Sequence, residues 1–424
     1  MGTAFSSGNN VAVWCEKPDY YSGEVVQGHV LLNVCQAFVA TSVMVEVKGY
    51  EKTSWEEITV HEQYVHGPPH SCHHKHHHLN GHKNDHCHDQ GKGNRNDQGH
   101  WCKTERRQLC FSRNDFFKVA VPLHHFNANL PVQPGQYQFP FRVALPATLP
   151  GTFRYDCDSS QQGVNRLHRH VVGKIHYKVK ASVLKSTRVL GLVDVATNLA
   201  GRQEIVVRQR MIRPPSELTA ERVTNVRMCC LWGQGMVIIR VRAVKDAFVA
   251  GETVLMLLEI ENHTNLAFND VSVSVERIVN LMASGSQHTV TDRITKQKFP
   301  GLPKSTTYVS ENARRMALQL PISLVPTTSG GLIKCSYQAC LELSAGLLTN
   351  NARLVVPLTI YAAPPPHEAY SMAPPAFWHP QMVAPAVEVA VGVPVVTMQS
   401  PIPSAPPEPG PAKGMPNPTY AGAI

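Results

Sequence analysis

The chain has 424 residues, 43% of them hydrophobic and 17% charged, with a net charge of +9 and a pI near 9.0. That length holds two or three domains with their own cores, and the positive balance favours acidic partners, anionic lipid, phosphorylated peptide or nucleic acid, without choosing among them. Lys and Arg are spread along the chain without a block of five or six, the pattern of solvated strand faces, and no nucleic-acid partner is expected.

The first six residues, Met1-Gly2-Thr3-Ala4-Phe5-Ser6, fit the pattern for N-myristoylation at Gly2. Residues 1–10 are otherwise a flexible start, with no charged n-region, apolar h-region and cleavage site. One acyl chain holds a protein to a membrane only marginally, so the basic surface would have to supply a second signal. The eleven cysteines are an odd number without framework spacing, which indicates free thiols in a reducing compartment.

Strand alternation begins after residue 10. Val43, Val45 and Val47 alternate with Met44, Glu46 and Lys48, giving one apolar and one wet face. Ile175, Tyr177, Val179 and Ala181 alternate with His176, Lys178 and Lys180, and Val271, Val273 and Val275 with Ser272, Ser274 and Glu276. Turn signals at Lys17-Pro18-Asp19, Gln133-Pro134-Gly135, Leu149-Pro150-Gly151 and Ser329-Gly330-Gly331 separate the runs. Many half-buried strands with frequent turns describe antiparallel sandwiches. The stretch Leu190 to Ala200 reads as either a short helix or an irregular crossing.

Residues 61–100 interrupt this pattern with His, Gly, Asn, Asp and Lys, the composition of a disordered loop at a hairpin end. The insert carries Cys72, His73, His74, His76, His77, His78, His86, Cys87 and His88, with Cys102 just beyond. Imidazole and thiolate suit Zn, Cu or Ni, but the spacing matches no standard zinc module. Adventitious metal affinity, a metal-buffering or metal-sensing role and acid sensing by clustered imidazoles are the three readings. No other cofactor is expected.

The second half echoes the first. Tyr21-Ser22-Gly23-Glu24-Val25-Val26 has a counterpart in Val249-Ala250-Gly251-Glu252-Thr253-Val254. Phe139-Pro140-Phe141-Arg142-Val143-Ala144-Leu145-Pro146 is echoed by Met316-Ala317-Leu318-Gln319-Leu320-Pro321, and Ile175-His176-Tyr177 by Cys335-Ser336-Tyr337. The order is the same in both halves, so two similar β domains are expected, 11–212 and 222–361, joined by a stiff linker, 213–221, that holds Arg213-Pro214-Pro215-Ser216. After Tyr361 the prolines multiply and charge almost vanishes, so 362–424 is expected to be a disordered Pro-rich tail. Its apolar stretch Ala384 to Val396 is interrupted by Pro385, Glu388 and Pro394 and is too short to span a bilayer. Near its end Asn417-Pro418-Thr419-Tyr420 has the make-up of a recognisable turn, in which Asn417 caps, Pro418 sets φ and Tyr420 fills a pocket. No Gly-rich phosphate loop, nucleophile elbow or His-Glu-x-x-His occurs, so no enzyme is expected. The adjacent Cys229-Cys230 read as structural.

These residues resemble the arrestin superfamily, and within it the alpha-arrestins or arrestin-domain-containing proteins. The resemblance rests on the Gly-Glu-x-Val openings at Gly23 and Gly251, on Val47-Lys48-Gly49-Tyr50 followed by Trp55, and on Gln136-Tyr137-Gln138-Phe139-Pro140-Phe141 running to Pro150-Gly151-Thr152-Phe153. It implies an all-β chain of two tandem, immunoglobulin-like arrestin sandwiches. It also implies a non-catalytic cytoplasmic adaptor, peripheral at the plasma membrane or endosomes, that engages membrane-protein cargo and recruits trafficking or ubiquitin-ligase machinery. The tail departs from the alpha-arrestin pattern in lacking Pro-Pro-x-Tyr; Pro374-Pro375-Ala376-Phe377 and Pro416-Asn417-Pro418-Thr419-Tyr420 are the nearest approaches. A retromer-type cargo-sorting subunit, which shares this fold, is an alternative reading. No counterpart of the salt-bridged phosphate sensor of visual and beta-arrestins is evident.

Overall fold

The computed structural model describes residues 8–66, 99–157, 161–163, 166–189, 192–210, 213–228, 232–346, 349–363, 374 and 377–389. In the first half the strands are β1 (Asn10–Cys15), β2 (Asp19–Tyr21), β3 (Val25–Val34), β4 (Ser42–His66), β5 (Gly99–His125), β6 (Gly135–Ala144), β7 (Phe153–Cys157), β8 (Gln161–Gly163), β9 (Arg166–Val189) and β10 (Leu192–Arg208). The second half has β11 (Leu218–Met228), β12 (Trp232–Ala243), β13 (Ala247–Val249), β14 (Thr253–Thr264), β15 (Phe268–Ala283), β16 (Ser286–Leu302), β17 (Thr307–Tyr308), β18 (Arg314–Gln319), β19 (Thr328–Ser329), β20 (Ile333–Ser344) and β21 (Ala352–Tyr361). Two short strands follow, β22 (Met382–Val383) and β23 (Val387–Val389).

Each half is a sandwich of two sheets. The first pairs the sheet β1-β3-β6 with the sheet β2-β10-β9-β4-β5, and the second pairs β12-β14-β18 with β13-β21-β20-β15-β16. The strand order is the same in both, including the parallel pairs β2 with β10 and β13 with β21. The duplication reaches single hydrogen bonds. Glu24 accepts the Tyr21 N–H and Glu252 accepts the Val249 N–H, both at 3.0 Å. Gly23 and Gly251 each turn at φ +85, a left-handed conformation that side-chain-bearing residues avoid. Each glycine donates its N–H to the proline that ends the sixth strand or its equivalent, Pro146 or Pro321. The Tyr177 hydroxyl donates to the Pro150 carbonyl at 2.5 Å and the Tyr337 hydroxyl to the Val325 carbonyl at 2.7 Å.

The alternation read from the sequence sets the faces. Val43, Val45, Val47, Ile175, Tyr177, Val179, Val271, Val273 and Val275 are all buried, within one apolar cluster that runs through both sandwiches. Burial of one such side chain stabilises by about 1.5–3 kcal/mol. Leu192–Arg208 is neither helix nor irregular crossing but a strand, because its backbone ladders antiparallel to β9 from Val189 to Tyr177.

Three boundaries differ from expectation. The β4–β5 ladder continues from Val60 opposite Glu105 to His66 opposite Gly99, so residues 61–66 and 99–100 belong to the hairpin rather than to the inserted loop. Leu218 already pairs with Ala243, so the second sandwich takes up the last part of the 213–221 linker. The folded structure also does not end at Tyr361. Met382 pairs with Tyr137, and Val387, Glu388 and Val389 pair with Phe141, Arg142 and Val143, adding tail strands parallel to β6.

Candidate functional site: a domain seam and a covered sheet edge

The two sandwiches meet along a polar seam. Its centre is Glu51 on β4, which is fully buried. Its carboxylate accepts backbone N–H groups from Gly331 and Leu332, each at 2.9 Å, and from Ile333 at 3.3 Å, together with the Asn114 side-chain amide at 3.3 Å. Burial pushes its pKa up, and the four donors oppose that shift by favouring the charged form. Around it the Thr53 hydroxyl donates to the Met282 carbonyl at 2.6 Å, and the Gly151 N–H donates to Thr328 Oγ1 at 2.7 Å. The Phe111 N–H donates to Ser284 Oγ while the Ser284 N–H donates to Ser112 Oγ. Arg277 of the second sandwich stacks on Tyr155 of the first and pairs with Asp292 at 2.7 Å.

At one end of the seam the imidazoles of His168 and His288 stack with ring centres 4.2 Å apart, over the buried Trp55. His288 titrates well below an ordinary histidine, at about 4, because it is desolvated and faces the His168 ring; Glu57 partly offsets this.

A second feature lies on the outer sheet of the first sandwich. In β6 the N–H and C=O groups of Gln136, Gln138 and Arg142, with the C=O of Pro140, point away from β3, and the tail satisfies part of that row. Gln381 donates its N–H to the Gln136 carbonyl at 2.8 Å, and Ala384 donates to the Gln138 carbonyl at 3.0 Å. The His379 N–H donates to the Gln136 side chain at 2.7 Å, Trp378 is buried, and Glu388 pairs with Arg142 at 3.8 Å. Pro140 has no N–H to offer, and opposite it the tail ladder breaks at Pro385 before resuming at Val387.

Gly2, Cys72 to His88, Cys229-Cys230 and Asn417 to Tyr420 lie outside the described residues, and Cys102 is described only as part of the β5 ladder. Glu51, His168, His288 and the tail strands were not singled out from the sequence. The signal for Glu51 was its parity: it continues the inward series Val43, Val45, Val47, Gly49.

Two sandwiches with this strand order, joined by a buried seam, define an arrestin-type protein. The arrestin (or S-antigen) N-terminal domain model matches residues 13–207 and the C-terminal domain model matches residues 233–365, and the chain belongs to the arrestin-domain family, alpha-arrestin-like in kind. It is similar to arrestin domain-containing protein A of Dictyostelium discoideum, 22% identical over 378 residues that cover 88% of this chain and 54% of that protein. The chain thus spans about half the length of that relative. Among the described residues no helix is long and apolar enough to cross a membrane.

Proposed function

We propose that the chain is a non-catalytic cytoplasmic adaptor that holds membrane-protein cargo, a receptor or transporter, and brings it to endocytic or ubiquitin-ligase machinery at the plasma membrane or endosomes. The observation that carries the reading is the β6 edge. An edge that takes the chain's own extended segment, through main-chain hydrogen bonds and one exposed ion pair, has the chemistry to take an extended segment of another protein. Pairing through the main chain is tolerant of sequence, which suits an adaptor with several cargoes. The arrestin-domain architecture supports the same class. The Asn417-Pro418-Thr419-Tyr420 turn would recruit a turn-reading adaptor domain, with affinity on the order of micromolar because four residues bury little area.

Proximity labelling in cells tests this with the full chain, a chain ending at Val389 and a chain ending at Tyr361. Endocytic or ligase components should be lost in both truncations, while cargo labelling should rise only in the shorter one, which uncovers β6. Tyr420→Ala should remove the turn-reading partner alone. The same partners in all three chains, or no membrane protein in any, would overturn the reading.

A further inference from the structure

The duplication assigns β18 of the second sandwich the place that β6 holds in the first. Arg315, Ala317 and Gln319 stand where Pro140, Arg142 and Ala144 stand, and both strands close onto the preceding turn alike: Leu145 donates its N–H to the Glu24 carbonyl at 2.8 Å, and Leu320 to the Glu252 carbonyl at 2.9 Å. This phasing turns the N–H and C=O groups of Arg315, Ala317 and Gln319 away from β14. The tail covers the corresponding row of β6. Among the described residues no strand pairs with the outer side of β18.

The face beside this open edge is also distinctive. Arg242 on β12 and Arg315 on β18 lie opposite Leu257 from its two sides. They flank a groove of about 660 Å³ whose apolar lining includes Leu255 and Val244, which are 64% and 90% exposed. Glu217 is its one acidic lining residue. Neighbouring Arg240 is neutralised by Glu221 and Glu261, whereas Arg242 and Arg315 carry no ion pair among the described residues. A protein edge is normally blunted by proline, charge or a cover. Here no proline stands at the outward positions, and the charge present is attractive to an anion.

We infer that the outer edge of β18 and the Arg242–Arg315 groove form a second docking site, for an extended segment of a partner protein in which an acidic residue is flanked by apolar ones. The backbone of the segment would continue the sheet past Ala317. Its acidic side chain would lie between the two arginines and its apolar neighbours over Leu255 and Val244. The β6 edge shows this preference in miniature, since Val387-Glu388-Val389 is the segment it takes.

The probe is a synthetic peptide of residues 378–392, titrated by fluorescence anisotropy into the full chain, whose β6 is already covered. One peptide should bind per chain. Ala317→Pro removes an outward N–H that the β14 ladder does not use, and should weaken binding at least tenfold, whereas Ala317→Val should not. Arg242→Glu with Arg315→Glu, at exposed positions that leave the core untouched, should weaken it to a similar degree and reduce its salt dependence. Failure to bind, binding that appears only after residues 362–424 are removed, or binding indifferent to both variants would overturn the inference. So would loss of phosphatidylserine-vesicle binding in the double-Glu variant with peptide binding intact, which would make the groove a lipid site.

Discussion

Gly330 stands so close to Glu51 that a methyl group added at its Cα would lie 1.7 Å from Glu51 Oε1. The carboxylate fills the space that any other side chain would need, and the following three N–H groups converge on it. Gly330→Ala should therefore displace Glu51 and loosen the seam without touching either core. Glu51→Leu should be worse, because it leaves backbone donors buried without an acceptor, at a cost of about 3 kcal/mol or more. Glu51→Gln keeps one acceptor oxygen and should cost about 1–2 kcal/mol. Melting temperatures check the assignment, with Glu51→Leu expected lower than both Gly330→Ala and Glu51→Gln; equal melting of Glu51→Leu and wild type would refute it.

Acid should weaken the seam through the histidine pair. The His288 imidazole titrates at about 4 in the closed seam against 6.5 when separated. A base whose pKa is depressed binds its proton more tightly in the open form, so closure loses stability as pH falls from about 6.5 toward 4. By pH 5 the loss should be on the order of 1–2 kcal/mol. His168 and Glu57 are the titratable groups that act on it, the first against its charge and the second for it. Glu51 works the other way, since its raised pKa makes acid favour the closed form. Amide exchange at Gly331 to Ile333, corrected for intrinsic rate, should quicken between pH 7 and pH 5 in the wild type and much less in His288→Gln. Identical profiles would remove the histidines from the account.

The tail is anchored by Trp378 as well as by its ladder. Trp378→Ala should raise amide exchange at Gln381 and Ala384 by at least tenfold, because a buried aromatic truncation costs about 3 kcal/mol. The sandwiches should melt at an unchanged temperature. Unchanged exchange at those two amides would show that the backbone pairing suffices.

Lipidation is testable directly. Gly2→Ala should abolish incorporation of a myristate analogue and reduce the membrane-bound fraction, since the α-amine chemistry requires Gly2. Equal membrane recovery of mutant and wild type would show that a lipid at Gly2 does not matter.

For the His-rich insert, replacement of residues 67–98 by a short Gly-Ser turn should leave the melting temperature and localisation unchanged, because loop-closure entropy varies only with the logarithm of length. Zinc binding below micromolar, with fixed stoichiometry and a raised melting temperature, would instead establish a metal site.

The repeat was legible because identical turn chemistry recurs: Gly23-Glu24 and Gly251-Glu252 specify the same bend, and alternating Val runs specify the strands on either side. Glu51 escaped notice since an acid in a strand reads as solvent-facing until its parity is compared with Val43, Val45 and Val47. The length of the β4–β5 hairpin was hidden because its last pairs, His61 to His66, have loop-like composition, whereas the ladder is a property of the backbone. The tail strands were hidden for the opposite reason. Pro385 and the surrounding prolines argue against any strand, and only the matching defect at Pro140 on the receiving edge makes the interrupted ladder fit.

That docking changes the geometry of everything downstream. With the chain pinned at Val389, Asn417 is 28 residue steps from the last described strand, against 56 steps from Tyr361. At full stretch this limits Asn417 to about 100 Å from Val389 on the first sandwich, whereas an undocked tail would allow about 200 Å from Tyr361 on the second. Letting go of β6 would therefore double the leash of any partner held at Tyr420, so uncovering the edge and extending the tail's reach are one mechanical event.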